Sequence, residues 1–296
     1  TRTLGLMTSD LALHAPSQIA SAVKSRAVEQ GASVLISMVE QPAQCQADLQ
    51  ELLAQRVEAL LVNVPLEDAQ AEMLQEMASP TPVLFLDVSP TARVNSLVFN
   101  AEQGAGLGAE HLLSLGHQRI ALLAGPESSV SARARLAGWK TTLARAGVEA
   151  FAVAQGDWSA ASGYEKGHQL LAGAQLPEAI LVANDQMALG VLRACAEKGV
   201  AVPGQISVVG FDDTADSAWF SPPLTTVRQA FREAGERSVE RLMAPAHHDE
   251  CWQEQLPVTL IVRHSTAPRA AQQADREDLA QQLRTLALLA EKLARS

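Results

Sequence analysis

Two apolar runs end in polar pairs: Ala179-Ile180-Leu181-Val182-Ala183 stops at Asn184-Asp185, and Ile206-Ser207-Val208-Val209-Gly210-Phe211 stops at Asp212-Asp213. Runs this apolar read as strands of a parallel sheet buried on both faces, and ligands of open α/β sheets bind outside the carboxyl ends of such strands. Asp87 ends a third run, Arg133 and Arg135 open a predicted helix, and Trp158 follows Gly156-Asp157. Asn, Asp and the planar Arg fork match pairs of vicinal hydroxyls, and an aromatic ring walls the apolar face of a pyranose. The set points to a pocket for a small neutral polyol, most simply a sugar. Each residue alone also has a plainer role: Arg135 as a surface ion pair, Trp158 as core, Asn184 or Asp185 as a helix N-cap.

Other chemistries find little support. HExxH, Walker A and GxSxG motifs are absent from the sequence. Gly104-Ala105-Gly106-Leu107-Gly108 has the wrong spacing for a phosphate loop and falls inside a predicted helix, where close helix contact explains it better. The seven His residues show no metal-ligand spacing, and His247-His248 read as a solvated loop, so neither a metal nor a cofactor is expected. Asp212-Asp213 is like an acid/base pair, but neighbours on a strand point to opposite sides, leaving at most one for a given ligand. Catalysis is not supported.

The chain has 296 residues, 47% of them hydrophobic, enough for two domains with real cores. A net charge of -10 argues against this chain gripping a nucleic-acid backbone by itself, because that needs a basic face. Cys45, Cys195 and Cys251 are odd in number and far apart. They give no disulfide framework, which favours a reducing compartment, and read as packed small hydrophobes. No signal peptide and no membrane-length apolar run is visible. The chain opens inside a strand-like stretch, and the expectation is that an amino-terminal segment, either a signal peptide or a domain, has been removed.

Strand and helix patterns alternate from the start. Strands are predicted at 4–8, 33–39, 59–63, 83–87 and 94–99, with helices at 16–30, 43–55 and 67–78 between them. The pattern restarts with helices at 101–115, 131–146, 160–172 and 186–198, and strands at 120–124, 150–155, 179–183 and 206–211. Single helices between strands imply parallel βαβ units. Two rounds of the pattern imply two similar lobes whose strand ends face a shared cleft. A helix at 231–243 and a strand at 258–262 follow. They imply that the chain crosses between lobes more than once, which makes a hinge. Residues 267–275 read as a flexible Ala/Pro/Gln-rich linker. Residues 276–296 carry Leu279, Leu283, Leu286, Ala290 and Leu293 at 4-3-4-3 spacing, a heptad seam expected to pack on copies of itself.

Several stretches carry a resemblance: His14-Ala15-Pro16-Ser17-Gln18, Ser128-Ser129-Val130-Ser131-Ala132-Arg133, Gly156-Asp157-Trp158-Ser159-Ala160, Leu181-Val182-Ala183-Asn184-Asp185-Gln186-Met187, Val209-Gly210-Phe211-Asp212-Asp213-Thr214 and Pro222-Pro223-Leu224-Thr225-Thr226. Together they resemble the LacI/GalR family of sugar-responsive transcriptional repressors, and the leucine tail matches its galactoside-responsive branch. The resemblance implies an α/β, periplasmic-binding-protein-like type I core: two doubly wound parallel-sheet lobes with a hinge, plus a C-terminal leucine-heptad helix. It implies one lobe from residues 1–99 and 231–256, a second from 100–230 and 257–266, the linker 267–275 and a tetramerisation helix at 276–296. A galactoside inducer, of the allolactose or isopropyl-thiogalactoside kind, is implied between the lobes. Carried over residue by residue, its contacts fall on Ser9, Leu13, Ala15, Pro16, Ile19, Asn63, Leu86 and Asp87. Phe99, Ser131, Arg135, Trp158, Asn184, Asp212, Gln229 and Phe231 complete the set. Lys24, Leu189 and Phe220 fall on the dimer interface; Leu279, Leu283, Leu286 and Leu293 fall where two dimers join.

The resemblance also implies a cytoplasmic location, no membrane partner, and operator DNA bound only through an amino-terminal helix-turn-helix headpiece that this chain lacks. Asp10 stands where the galactoside-responsive members carry Ser and is expected to alter the charge of the cleft. Val28 replaces an Asp, Phe211 and Phe220 replace Tyr, and two residues are missing near 41–46. A soluble sugar-binding component of a transport system shares the architecture and is the alternative. An enzyme, such as a sugar kinase, lacks the motifs it needs.

Overall fold

The computed structural model describes residues 2–245 and 251–294, without the side chains of 271–276. His247 and His248 lie outside the described residues. Its strands are β1 (Arg2–Thr8), β2 (Ala32–Met38), β3 (Ala59–Asn63), β4 (Val83–Phe85), β5 (Ser96–Phe99), β6 (Ile120–Ala124), β7 (Ala152–Gln155), β8 (Ala179–Val182), β9 (Ser207–Val209), β10 (Thr226–Gln229), β11 (Gln253–Leu256) and β12 (Val258–Ile261). The helices are α1 (His14–Glu29), α2 (Cys45–Ala54), α3 (Asp68–Ala78), α4 (Ala101–Ser114), α5 (Val130–Arg145), α6 (Ala160–Leu171), α7 (Asp185–Glu197), α8 (Phe231–Met243) and α9 (Ala270–Ala294).

The strands form two parallel sheets and a short antiparallel pair. The first sheet has the order β11-β5-β4-β3-β1-β2, the second β7-β6-β8-β9, and β10 pairs with β12. Bridges Val209↔Thr225 and Asp212↔Arg228 tie β10 to the edge of the second sheet. Both sheets are doubly wound: β2 and β7 turn outward one way and later strands the other, so each has a switch point, between β1 and β3 and between β6 and β8. The chain leaves the first sheet after β5, returns for α8 and β11, and leaves again for β12.

The apolar runs become strands because both faces of each sheet are covered. In β3, Leu60 and Val62 enter one cluster with Met7 and Phe85, while Ala59 and Leu61 enter another with Leu4, Leu84 and Phe231. That alternation is the strand period of two. The second sheet is buried likewise around Leu122, Leu181, Val208 and Trp139. Glycines in α4 serve contact: a Cβ on Gly104 would stand 2.7 Å from the Phe211 ring, so the run lets the helix lie on the sheet, as its spacing predicted.

Several expectations change. The stretch expected as linker is helical from Ala270, so α9 begins inside 267–275; Ala and Gln are good helix formers and nothing there breaks the helix. Gln253–Leu256 form a strand where none was predicted. Phe211-Asp212-Asp213 lie beyond β9, with φ of 122° at Asp212 and 60° at Asp213. The two carboxylates part company because the backbone turns, not because a strand alternates.

Candidate functional site

Every expected ligand contact stands at a strand end or a helix start. Ser9 follows β1, Leu13 is the N-cap residue of α1, and Ala15, Pro16 and Ile19 lie in the first turns of that helix. Asn63 and Phe99 close β3 and β5, Leu86 and Asp87 follow β4, and Gln229 and Phe231 flank the β10–α8 junction. From the other sheet come Ser131 and Arg135 on α5, Trp158 before α6, Asn184 before α7 and Asp212 after β9. They line two abutting cavities of about 660 and 210 Å³ that share Ala15, Asp87, Ser131 and Arg135. Pockets of about 300–1,000 Å³ suit ligands of small-molecule size.

Arg135 is the hub. It is 6% exposed, which rules out the surface ion pair. Its guanidinium lies over the Phe211 ring at 4.1 Å and the Trp158 ring at 5.3 Å, a doubly stacked cation. Nη1 donates to the Ala183 carbonyl and stands 3.6 Å from Asp212 Oδ1. Its buried Nε finds no hydrogen-bond partner among the described residues. Asp212 accepts a 3.0 Å bond from Gln229 Nε2. Burial pushes its carboxyl up to about 7, and Arg135 offsets only part of that. Asp87 lines both cavities; the same desolvation lifts it to about 6, again opposed by Arg135. Asp212 stands beside the guanidinium, and Asp87, from the other sheet, feels its charge without an ion pair between them.

Trp158 and Asn184 hold one another. Asn184 Oδ1 caps α7 through the Met187 N–H at 2.9 Å, and its Nδ2 donates to the Trp158 carbonyl at 3.0 Å. The N-cap role is therefore real, and the residue lines the cleft as well. Trp158 adopts a φ of 77°, and its indole lies on Gly125, where a Cβ would come within 2.6 Å. Only glycine leaves the ring in that position.

Sequence reasoning missed Asp185. Fully buried, it accepts from Thr226 Oγ1 at 2.6 Å, Ser217 Oγ at 2.6 Å and Thr214 N at 3.0 Å. It ties the loop after β9 to α7 and so fixes where Asp212 stands. The apolar run before it hid this role behind an N-cap reading. Two contacts crossing the cleft were also unforeseen: an Arg133–Glu67 ion pair, and the His14 N–H to Gln186 Oε1 at 3.4 Å. No signal in the local sequence links those positions.

The expected interface residues lie apart from the cleft. Lys24 and Leu189 are exposed and Phe220 is half-buried. Leu279, Leu283, Leu286 and Leu293 all lie exposed on α9. Among the described residues no group of His, Cys, Asp and Glu could hold a metal ion, and no helix is long and apolar enough to cross a membrane.

A model of the periplasmic binding protein-like domain family matches residues 109–266. The lactose operon repressor of Escherichia coli (strain K12) is 50% identical over 287 residues, covering 96% of this chain and 80% of that protein. The lactose operon repressor of Klebsiella pneumoniae is 47% identical over 296 residues, covering 98% of this chain and 82% of that protein. Among solved structures, a Lac repressor dimer bound to operator and the anti-inducer ONPF superposes with a TM-score of 0.86 at 50% identity, covering 90% of this chain and 94% of that one. By family match, sequence identity and shared fold alike, the chain belongs to the LacI family of transcriptional repressors, in its lactose-operon branch.

Proposed function

We propose that the chain is the inducer-responsive core of a lactose-operon-type repressor: a galactoside binds in the cleft and lowers the operator affinity of an attached helix-turn-helix headpiece. The observation that carries the reading is Arg135, buried 3.6 Å from Asp212 with Trp158 stacked beside it, in a cavity that Asp87 of the other sheet unit also lines. A guanidinium with unused donors and two acceptor carboxylates match a polyol's vicinal hydroxyls, and an indole face matches its ring. We assign all the ligand contacts expected from the sequence to this cleft. Because the contacts come from both sheet units, a ligand gains most when they close on it, so it shifts the balance between two arrangements. The lobes are taken as 1–99 with 231–256 and 100–230 with 257–266.

A net charge of -10 disfavours phosphate binding by this chain itself, so operator DNA is assigned to the headpiece. Lys24, Leu189 and Phe220 are assigned to a dimer interface, and the α9 leucines join two dimers. The compartment is cytoplasmic, and no catalytic step is assigned. A transport-component role gains nothing from the two curated relatives named above, both of them repressors.

A thermal-shift titration tests the ligand. Isopropyl-thiogalactoside at a hundred times its Kd stabilises a folded state it alone recognises by about 2.7 kcal/mol, and the melting temperature rises accordingly. No shift at millimolar ligand rejects the galactoside pocket.

A further inference from the structure

The chain leading into α9 is fastened to the second sheet away from the cleft. Ser265 is fully buried, donating from Oγ to the Val208 carbonyl at 2.6 Å and accepting from the Thr225 N–H at 2.8 Å. Two histidines hold the next two residues. His111 Nε2, on α4, lies 2.8 Å from Thr266 Oγ1, and His117 Nε2, just before β6, lies 2.8 Å from the Ala267 carbonyl oxygen. Ser207 Oγ accepts from the Ala267 N–H at 3.0 Å, and the Arg269 N–H donates to the Leu115 carbonyl at 2.8 Å. Arg269 Nε also stands 3.0 Å from Glu178 Oε2, and Arg119 approaches the other oxygen to 3.3 Å. His117, Glu178 and Ser207 sit at the amino-terminal ends of β6, β8 and β9, opposite the ends that line the cleft.

A carbonyl only accepts, so His117 carries its proton on Nε2. Its Nδ1 is buried with no hydrogen-bond partner among the described residues, 3.8 Å from Glu178 Oε2. A second proton has to go there. Glu178 faces it, but Arg119 and Arg269 already pair with that carboxylate, so the new charge joins two cations around one anion. Burial holds both imidazoles below their ordinary range. At His117 the Ala267 carbonyl and Glu178 oppose the shift in part and Arg269 adds to it; at His111 the charge on His117 adds to it.

We propose that residues 265–269 form an acid-labile fastening: neutral His111 and His117 clip the root of α9 to the second sheet, and protonation of either frees 266–269 while the sheet stays folded. A free imidazole takes its proton near 6.5 and the clipped ones lower. The fastening is therefore at full strength above about pH 6.5 and weakens as pH falls below it. The inference depends neither on what α9 binds nor on the ligand of the cleft.

Amide hydrogen exchange of the full chain tests it, each rate taken against the intrinsic rate at the same pH. Protection of the Ala267 and Arg269 amides is expected to fall severalfold, up to about tenfold per proton taken up, as pH drops from about 6.5 to about 5.5, while β6 amides keep theirs. His111→Gln combined with His117→Gln keeps donors for Thr266 and Ala267 but cannot titrate, so its protection stays within about twofold over that window. Imidazole nitrogen shifts of the unmodified protein give an independent reading: both midpoints are expected below 6.5, with the neutral His117 protonated on Nε2. Protection independent of pH, a loss shared by the β6 amides, an equal loss in the double variant, or a His117 midpoint at or above 6.5 overturns the inference.

Discussion

Asp212 carries both a hydrogen-bond prediction and a titration prediction. Asp212→Asn keeps the side chain's shape and an oxygen for Gln229 Nε2 but removes the charge facing Arg135. A hydrogen bond to a charged group is worth about 1.5–3 kcal/mol, so galactoside affinity is expected to fall about 10- to 100-fold while the fold survives. The pH dependence follows from burial. In the unfolded chain this carboxyl ionises near 3.8; in the folded state burial holds its proton to about 7. Between those values the folded state binds the extra proton, so its stability falls as pH rises from about 4 to about 7 and levels off above. Asp87 adds a smaller fall that ends near 6. Melting temperatures of the ligand-free protein between pH 5 and 8 check the sign. The Asp212→Asn variant should show a shallower fall, and identical slopes would remove Asp212 as the source. The residue types were legible because Asn, Asp, Arg and Trp at strand ends have few jobs. Their couplings were not: the stacking of Arg135 on Phe211 and the anchoring by Asp185 join residues far apart in the chain.

At the scale of elements, the crossing of α6 and α7 sets the cleft wall. The starts of both helices face it, one after Trp158 and the other after Asn184. Their axes approach because Gly163 and Gly190 present no side chain: a Cβ on Gly190 would stand 2.1 Å from the Ala160 carbonyl oxygen, and one on Gly163 2.1 Å from that of Met187. These neighbours are backbone, so neither can step aside cheaply. Gly190→Ala is expected to cost about 1–3 kcal/mol, read as a lower urea midpoint, and to weaken galactoside binding by moving Trp158 against Asn184. Unchanged midpoint and affinity would show that the crossing has slack. Elements with strong patterns were legible: residues 59–63, 120–124 and 231–243 fold as their sequences predict. β11 was not, because Gln253-Glu254-Gln255-Leu256 has almost no apolar side chain and becomes a strand only by parallel pairing with β5. The onset of α9 was missed because a composition suited to a linker also suits a helix.

The molecule as a whole has two surfaces with opposite logic. The cleft is enclosed and charged, and the Arg133–Glu67 pair crosses it. α9 is open and apolar along one seam. A helix of its length spans about 37 Å at 1.5 Å per residue. Leu279, Leu283 and Leu286, at 4-3 spacing, are each more than half exposed along it, a seam that a second copy would cover. Burying a leucine side chain contributes about 1.5–3 kcal/mol, so a seam of several from each copy is ample to hold dimers together. Deleting residues 276–296 is therefore expected to halve the mass in sedimentation velocity, from tetramer to dimer, while the galactoside-induced thermal shift stays as it was. The paired result matters because the cleft's lining residues all precede residue 235 and owe nothing to α9. Leu283→Ala with Leu286→Ala should loosen the tetramer in the same direction, giving a concentration-dependent mixture. A mass unchanged by the deletion would mean that the seam binds nothing, and the assembly would have to be sought in the surface around Lys24, Leu189 and Phe220 instead.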